Sequence, residues 1–266
     1  MSRVLLTGAG GNLGKVVREK LAGVYDTLRV TDLNEMAPAG PGEEVVQCDL
    51  SDTQGVMDLV EGCDAIVHLG GMSLENTFDI ILEANIRGTY NVYEAARKHG
   101  IKRVLFASSN HLTGFHTRET RLDATSEMRP DSIYGVSKGF GELLARYYYD
   151  QFGIETACVR IGYSFDKPLT RRMMAIWLSF DDFTDLVKRV IAADRVGFAV
   201  VYGSSDNKDT WWDNSLTSYL GWNPKDSSEQ FANDPNIVAE VTDPNDPAVK
   251  YQGGAWVAMG HFDDEN

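Results

Sequence analysis

Long hydrophobic runs, clustered cysteines and basic residues are all scarce in this sequence. Because it contains no long uncharged apolar stretch, we expect no membrane-spanning segment. Cys48, Cys63 and Cys158 are scattered, odd in number and without a Cys-x-x-Cys pair, which argues against a zinc site or a disulfide framework. They lie in or beside apolar segments and are expected to be core thiols, as suits a reducing compartment. With a strand predicted from residue 3, we expect no signal peptide and a cytoplasmic location.

The shortage of basic residues disfavours large anionic partners. The chain has 25 lysines and arginines against 39 acidic residues, which gives a net charge of −14. Nucleic acid and anionic membranes are therefore poor partners, and a small anionic substrate would need a local basic group. The acidic excess is interpreted as a solvated surface or as an adaptation to high salt. The five histidines show no metal-ligand spacing, so no metal site is predicted.

Apolar runs alternate with helical patterns along most of the chain, which is typical of βαβ units and a parallel sheet. Strands are predicted at residues 3–7, 27–31, 45–48, 64–69, 102–107, 154–160 and 197–202. Helices are predicted near residues 12–22, 53–61, 78–99, 134–152 and 181–193. The predicted fold class is α/β, a doubly wound parallel sheet (Rossmann fold) whose ligand lies beyond the carboxyl ends of the strands. We expect a single domain over residues 1–266, with 203–266 as a short C-terminal extension on the substrate side.

A glycine turn joins the first predicted strand to the first helix. In Gly8-x-x-Gly11-x-x-Gly14 the backbone can approach a pyrophosphate, whose negative charge then faces the free N–H groups of the helix. Asp32 ends the second predicted strand, where an acid accepts hydrogen bonds from ribose hydroxyls and repels the 2′-phosphate of NADP. Taken alone, the two features could be a ligand-free tight turn and a capping aspartate. Together they predict a dinucleotide site that selects NAD.

Tyr134 and Lys138 lie one helical turn apart, so their side chains share a helix face. A phenol has a reference pKa of about 10, too high for a general base at neutral pH, and a neighbouring ammonium lowers it. Ser109, at the end of a neighbouring strand, would hydrogen-bond the reacting oxygen and orient it toward the tyrosine. A Tyr-x-x-x-Lys pair on a helix surface is usually idle. Its position after the fifth predicted strand favours a catalytic role.

These motifs resemble the short-chain dehydrogenase/reductase superfamily, especially its extended, sugar-modifying branch of NAD-dependent epimerases and dehydratases. The resemblance covers roughly residues 3–200 and is carried by the glycine turn, Asp32, Asp49, Ser109 and the Tyr134–Lys138 pair. A closer resemblance, over nearly the whole length, is to the bacterial uronate dehydrogenases. It is carried by Ala-Ser-Ser-Asn-His at 107–111, the 134–138 motif, and 201–223 with its Trp-Trp-Asp-Asn. Relatives that handle nucleotide-sugars have a larger C-terminal domain, so the short chain agrees with a free sugar acid.

The resemblance implies two sets of site residues. The cofactor set comprises Gly8, Gly11, Asn12, Leu13, Gly14, Asp32, Leu33, Asn34, Asp49, Leu50, Leu69, Gly70, Gly71, Lys138 and Ser164. The substrate set comprises Ser73, Ser109, Asn110, His111, Tyr163 and Arg172. Arg172 is the implied carboxylate partner, since a guanidinium pairs bidentately with a planar anion, and the adjacent Arg171 is an alternative. Tyr163 departs from the small polar residue expected there, and His111 either binds sugar hydroxyls or is a strand-end histidine bonded to backbone.

The predicted function is NAD-dependent oxidation of a hexuronic acid at its anomeric carbon to the aldarolactone, with Tyr134 as general base. D-Galacturonate and D-glucuronate are both expected as substrates, and the sequence does not rank them. One alternative is a nucleotide-sugar epimerase or reductase of the same branch, which the short C-terminal part disfavours. Another is a non-catalytic NAD-sensing regulatory protein, although such proteins usually lose the tyrosine or the lysine. A homo-oligomer is expected.

Overall fold

A parallel seven-stranded sheet organises the protein, so the predicted fold class is confirmed. The structure, a computed structural model, describes residues 2–240 and 242–262. The strands are β1 (Arg3–Thr7), β2 (Thr27–Asp32), β3 (Glu43–Gln47), β4 (Ala65–His68), β5 (Arg103–Ser109), β6 (Glu155–Ile161) and β7 (Phe198–Gly203). They run in the order β3-β2-β1-β4-β5-β6-β7, and neighbouring strands are all parallel. The chain switches sides between β1 and β4, which opens a ligand crevice beyond their carboxyl ends.

Helices cover both faces of the sheet. The main ones are α1 (Asn12–Leu21), α2 (Thr53–Val60), α3 (Phe78–Ile81), α4 (Gly88–Lys98), α5 (Ile133–Phe152) and α7 (Phe180–Ala192). The predicted helix at 78–99 is in fact α3 and α4 joined through a π-helical segment, Leu82–Arg87. Shorter helices that the sequence analysis missed are α6 (Arg171–Ala175), α8 (Pro235–Ala239) and α9 (Pro247–Lys250). Single 3₁₀ turns lie at Asn110–Thr113, Ser215–Leu220, Ser228–Phe231 and Gly254–Ala258.

The core consists of two apolar layers, one on each face of the sheet. On one face, α1 and α7 contribute Val17, Leu21 and Phe183 to a cluster that also contains Val4 and Leu6 of β1. On the other face, α2, α4 and α5 pack their apolar sides on the intervening residues of the same strands. Because most of the strands are buried on both sides, their sequences are largely apolar runs, which is why they could be predicted.

The edge strand β3 begins two residues before its predicted start. Its first residues, Glu43 and Glu44, are charged and break the apolar pattern that was used to predict it. Both are held by arginines from neighbouring elements: Glu43 pairs with Arg18 at 2.8 Å, and Glu44 pairs with Arg29 at 2.7 Å. Charged residues are typical of an edge strand, where they oppose pairing with another sheet.

The segment that follows β7, as far as residues 204–240 and 242–262 show it, adds no strand to the sheet and lies along its carboxyl edge. The backbone at Leu122 exchanges hydrogen bonds with Trp211 and Asp213. Further on, Thr117 forms an isolated antiparallel bridge with Tyr251. The C-terminal segment therefore reaches the side of the sheet on which the ligand crevice opens. In the described part of the chain, no helix is long and apolar enough to cross a membrane.

Candidate active site

The glycine turn between β1 and α1 is shaped for close contact with a ligand. Gly8 has a φ of 70°, and a Cβ there would lie 2.7 Å from the Gly70 nitrogen. A Cβ on Gly14 would overlap the carbonyl of Gly8, so α1 packs directly on the turn. Gly11 is the N-cap of α1 and has no capping side chain, which leaves helix N–H groups for an anion. These observations fit a pyrophosphate.

Asp32, at the end of β2, lies against this turn. Its Oδ2 accepts a hydrogen bond from the Gly10 amide at 2.9 Å, and its Oδ1 accepts one from the Asn34 amide at 3.1 Å. These two bonds fix the carboxylate beside the glycine turn, where a ribose would lie. Arg29, the base nearest to it in sequence, instead pairs with Glu44. The arrangement fits NAD, because no arginine side chain is bound at Asp32 to receive a 2′-phosphate.

The remaining predicted cofactor residues lie at the ends of neighbouring strands. The Gly70 amide donates to Thr7 Oγ1 at 3.0 Å, and a Cβ on Gly70 would lie 2.6 Å from Leu50. Asp49 Oδ1 accepts from the Ser51 amide at 2.8 Å. The first residues of α1 and the loop after β2 line the same edge; there Asn12, Leu33 and Asn34 are exposed. The loops after β1, β2, β3 and β4 therefore lie at one edge of the sheet, where the crevice opens.

Tyr134, Ser109 and Lys138 meet where β5 and α5 approach each other. Tyr134 lies in the first turn of α5, is 7% exposed, and is hydrogen-bonded to the hydroxyl of Ser109. Lys138 Nζ lies 5.6 Å from the centroid of the Tyr134 ring and 5.3 Å from that of Phe106. This ammonium is buried, and it makes no hydrogen bond or ion pair with any residue that the structure describes. A buried cation of this kind is available for the hydroxyls of a nicotinamide ribose.

The protein residues alone do not lower the pKa of Tyr134, which corrects the prediction made from the Tyr–Lys spacing. Burial raises the pKa of Tyr134 to about 12, against a smaller lowering by the Ser109 hydrogen bond. Burial also lowers the pKa of Lys138 to about 8, because the charged form loses its hydration. The two side chains share one poorly hydrated space. A phenolate therefore needs positive charge in addition to that of Lys138.

Glu75 and Asn85 fix the first turn of α5, and neither was predicted from the sequence. Glu75 accepts hydrogen bonds from the backbone amides of Ile133 at 3.0 Å and Tyr134 at 2.7 Å. Asn85 lies in the π-helical segment, accepts from the Met72 amide at 2.7 Å and donates to Ser137 Oγ at 2.9 Å. The loop after β4 is thereby tied to α5 at the turn that carries Tyr134.

His111 lies beside Tyr134, with its ring centroid 6.2 Å from that of the phenol. Its Nδ1 is 2.8 Å from the carboxylate of Asp131, so the backbone-bonded alternative is wrong. Burial lowers the pKa of His111, while the hydrogen bond to Asp131 acts in the opposite direction. Trp256, from the C-terminal segment, stacks on the imidazole with centroids 3.8 Å apart.

Arg172, at the start of α6, has its guanidinium inside the site. Its Nε donates to the carbonyl of Gln252 at 2.7 Å. With the Asn110 amide oriented to satisfy its neighbours, Asn110 accepts from Arg172 Nη2 at 3.1 Å and donates to the carbonyl of Ile161 at 3.0 Å. Arg172 forms no salt bridge with the described residues, and burial together with nearby Arg118 lowers its pKa to about 10. Arg171 is exposed and bonds to Glu240 and Ile237, which favours Arg172 over its neighbour.

The loop after β6 carries the last predicted pair. The ring of Tyr163 packs against an apolar cluster that includes Leu122 and Trp212, and it lies 4.8 Å from the ring of Phe165. The hydroxyl of Ser164 is buried and has no hydrogen-bond partner among the described residues. Ser73, in the loop after β4, is exposed. No three His, Cys, Asp or Glu side chains within 2–240 and 242–262 are grouped to hold a metal ion.

Known proteins are similar to this chain in sequence and in fold. The profile of the NAD dependent epimerase/dehydratase family matches residues 4–165. The chain belongs to this family. Uronate dehydrogenase from Pseudomonas syringae pv. tomato is 54% identical to it over 265 residues, which span 99% of this chain and 96% of that protein.

Solved structures of this epimerase/dehydratase family superpose closely. A crystal structure of glucuronic acid dehydrogenase from Chromohalobacter salexigens has a TM-score of 0.97 and 51% identity, and covers 99% of each chain. Uronate dehydrogenase from Agrobacterium tumefaciens, solved as a tyrosine-to-alanine variant complexed with NAD, has a TM-score of 0.94 and 51% identity, and covers 97% of each chain. The seven-stranded sheet is therefore shared with these enzymes.

Four site residues of this family member were missed by the sequence analysis: Glu75, Asn85, Asp131 and Trp256. Glu75, Asn85 and Trp256 carry no local signal, because each reaches the site through a contact between segments distant in the chain. The segment Arg129-Pro-Asp131-Ser132 holds the one usable signal, since a short polar stretch before a helix is typical of an N-terminal cap. Ser132 does cap α5, through the Gly135 amide.

Proposed function

We propose that this chain oxidises a hexuronic acid at its anomeric carbon, with NAD as the hydride acceptor, and releases the aldarolactone. The observation that carries the proposal is the half-buried guanidinium of Arg172, which bonds to the Gln252 carbonyl and Asn110 and forms no salt bridge with the described residues. A partly buried cation without a salt bridge is costly unless an anion reaches it during function. A sugar carboxylate is such an anion, and relatives at 51–54% identity are named uronate or glucuronic acid dehydrogenases.

In the proposed reaction Tyr134 takes the proton of the anomeric hydroxyl. The hydroxyl of Ser109, already bonded to the phenol, also contacts the reacting oxygen and keeps it in line with the base. Lys138 would bind ribose hydroxyls, and its ammonium contributes positive charge 5.6 Å from the centroid of the Tyr134 ring. Both act in a space from which water is largely excluded, since Tyr134 is 7% and Lys138 6% exposed.

The cofactor site proposed for NAD uses the crevice described above. NAD, when bound, would supply the hydride acceptor and the positive charge of its nicotinamide ring. The N-terminus of α1 would hold the pyrophosphate, and the carboxylate of Asp32 would bind the adenosine ribose. The buried, unpartnered hydroxyl of Ser164 is available to a polar group of the bound ligands.

The sugar acid would lie between Tyr134 and the C-terminal segment. Arg172 would hold its carboxylate, and Asn110 and His111 would hydrogen-bond its ring hydroxyls. Ser73 is proposed to approach from the opposite loop. Tyr163 is proposed to act through its backbone, because its side chain packs into an apolar cluster.

NADH absorbance is the direct test of this function. Purified protein with NAD should produce NADH with D-galacturonate or D-glucuronate, and markedly less with D-galactose or D-glucose, which lack the carboxylate. A UDP-sugar panel in the same assay tests the epimerase or reductase alternative. Turnover of a UDP-sugar without turnover of any uronic acid would overturn the proposal.

We further propose that the chain is one domain that assembles into a homo-oligomer in the cytoplasm. On α5, Val136, Leu143 and Tyr147 are spaced along one face and are 49%, 64% and 52% exposed, an apolar stripe that supports self-association. The C-terminal segment, outside residues 241 and 263–266, packs on the Rossmann fold and supports a single domain. The three cysteines are free and buried, as suits a reducing compartment. Sedimentation velocity would measure the assembly.

A further inference from the structure

Asp131 and Trp256, which have no role in the proposed reaction, contact the imidazole of His111 on two sides. On one side Nδ1 lies 2.8 Å from Oδ2 and 3.1 Å from Oδ1 of Asp131. On its face, the indole of Trp256 stacks at 3.8 Å between centroids, with 22° between the ring planes. Trp256 also contacts Tyr134 edge-on, at 5.6 Å. The histidine, the catalytic tyrosine and the C-terminal segment therefore form one packed group.

The carboxylate of Asp131 is buried and confined beside His111. Its side chain is 0% exposed, against 13% for that of His111. A Cβ on Gly114 or on Gly253 would overlap its carboxylate, so the carboxylate lies in a slot between two backbone segments. Those segments are joined by a hydrogen bond from the Gly253 amide to the Gly114 carbonyl at 2.9 Å. Oδ1 also accepts from Ser132 Oγ at 2.9 Å, which leaves the carboxylate little freedom to rotate.

This geometry determines which imidazole nitrogen carries the proton. An ionised carboxylate only accepts hydrogen bonds, so the nitrogen that faces it must be the donor. In a neutral imidazole with Nδ1 protonated, Nε2 has a free lone pair. Nε2 makes no hydrogen bond with the residues described, so that lone pair is available in the site.

We propose that Asp131 and Trp256 are positioning residues that hold His111 in the Nδ1–H tautomer and in one orientation, so that Nε2 accepts a hydrogen bond from a sugar hydroxyl. The inference rests on the proposed function for the identity of the substrate. It assigns no proton transfer to His111. Asp131 sets the direction of the hydrogen bond, and Trp256 prevents the ring from turning away when the site is empty.

The tautomer can be read directly by two-bond ¹⁵N–¹H NMR of histidine-labelled protein. His111→Gln assigns the resonances. We expect an unprotonated Nε2 in the unmodified protein at neutral pH. In Asp131→Asn the carboxamide oxygen can keep the hydrogen bond from Ser132 Oγ, which turns the NH₂ group toward Nδ1, so Nε2 should become the protonated nitrogen. An unmodified protein with Nε2 protonated, or an unchanged tautomer in Asp131→Asn, would overturn the inference. Because the NMR measurement needs no substrate, it tests the tautomer of His111 independently of whether the protein oxidises uronic acids.

Kinetics provide the second measurement. Asp131→Asn should raise the KM for the uronic acid at least tenfold and leave NAD affinity, measured by calorimetry, within about twofold. Trp256→Phe keeps a stacking ring and should stay near the unmodified KM, whereas Trp256→Leu should raise it. Asp150→Asn is the matched control, because Asp150 is an exposed carboxylate paired with Arg146 at the far end of α5. Equal KM values in Asp131→Asn and Asp150→Asn would contradict a positioning role, and a parallel loss of NAD affinity would indicate a general structural defect instead.

Discussion

At the scale of single residues, we expect turnover to depend on the phenol of Tyr134. Tyr134→Phe removes the proton acceptor but keeps the ring that packs on His111 and Trp256. We expect turnover to fall by about two to four orders of magnitude, the usual contribution of general acid–base catalysis. NAD affinity, measured by calorimetry, should change little. A variant that retains more than a tenth of the original turnover would remove Tyr134 from the mechanism.

Asp32 is expected to determine the preference for NAD over NADP. The unmodified protein should strongly prefer NAD, since a carboxylate fixed beside the glycine turn repels a 2′-phosphate. Asp32→Ala should lower the ratio of kcat/KM with NAD to kcat/KM with NADP, mainly by lowering the value for NAD. Steady-state kinetics with both cofactors measure this. Comparable efficiency with both in the unmodified protein would show that Asp32 has no such role.

Arg172 is expected to recognise the substrate carboxylate. Arg172→Ala should cost about 1.5–3 kcal/mol in kcat/KM with galacturonate, the value of a hydrogen bond to a charged group. The loss should be much smaller with neutral galactose as a poor substrate. Arg171→Ala is the matched control, because its side chain is exposed and bonds to the Ile237 carbonyl. Equal losses on both sugars would mean that Arg172 supports the fold, and a selective loss in Arg171→Ala would transfer the role to that residue.

At the scale of elements, the first turn of α5 depends on a carboxylate from another loop. Glu75 bonds two free amides at this helix terminus, where negative charge is favourable. Glu75→Gln should lower stability by about 1 kcal/mol and reduce kcat, since the turn that carries Tyr134 is loosened. Urea unfolding and steady-state kinetics measure the two effects. Glu83→Gln, which removes an exposed pair with Arg87, should change neither. Identical behaviour of the two variants would rule out this role for Glu75.

The elements that could be predicted from the sequence are those marked by a pattern among neighbouring residues. Most of the strands are largely apolar runs, and the glycine turn and the Tyr134–Lys138 spacing are each contained within a few neighbouring residues. Trp256 and Glu75 have no such signal, because their partners lie far away in the chain. The pKa of Tyr134 was mispredicted for a related reason: spacing indicates that an ammonium is near, but not that both groups are buried.

At the scale of the whole molecule, the net charge of −14 repels an anionic substrate, whereas the cations Arg172 and Lys138 in the crevice attract it. An acidic surface repels an anionic substrate at long range, but at physiological salt this field decays over about 8 Å. Arg172 and Lys138 are therefore expected to act locally, inside the crevice, where screening is weak. The burial of Lys138 without a salt bridge among the described residues costs stability, which is typical of residues kept for function.

The variant Lys138→Met directly tests how much the burial of this ammonium lowers the stability of the fold. In the folded protein the pKa of Lys138 is lowered to about 8 from 10.5, so the charged form is disfavoured by burial. Below pH 8 the lysine is charged in both states and the fold bears the full penalty. Between pH 8 and 10.5 only the unfolded chain keeps the proton, so the contribution of this group to stability rises with pH. Without cofactor, Lys138→Met should therefore be more stable at pH 7, by up to about 3 kcal/mol, with a gain that declines toward pH 10. Urea unfolding across this range measures it. Lys98→Met, at an exposed site on α4, should show no such gain. A Lys138→Met protein less stable than the original at pH 7 would mean that the ammonium has a stabilising partner within the fold.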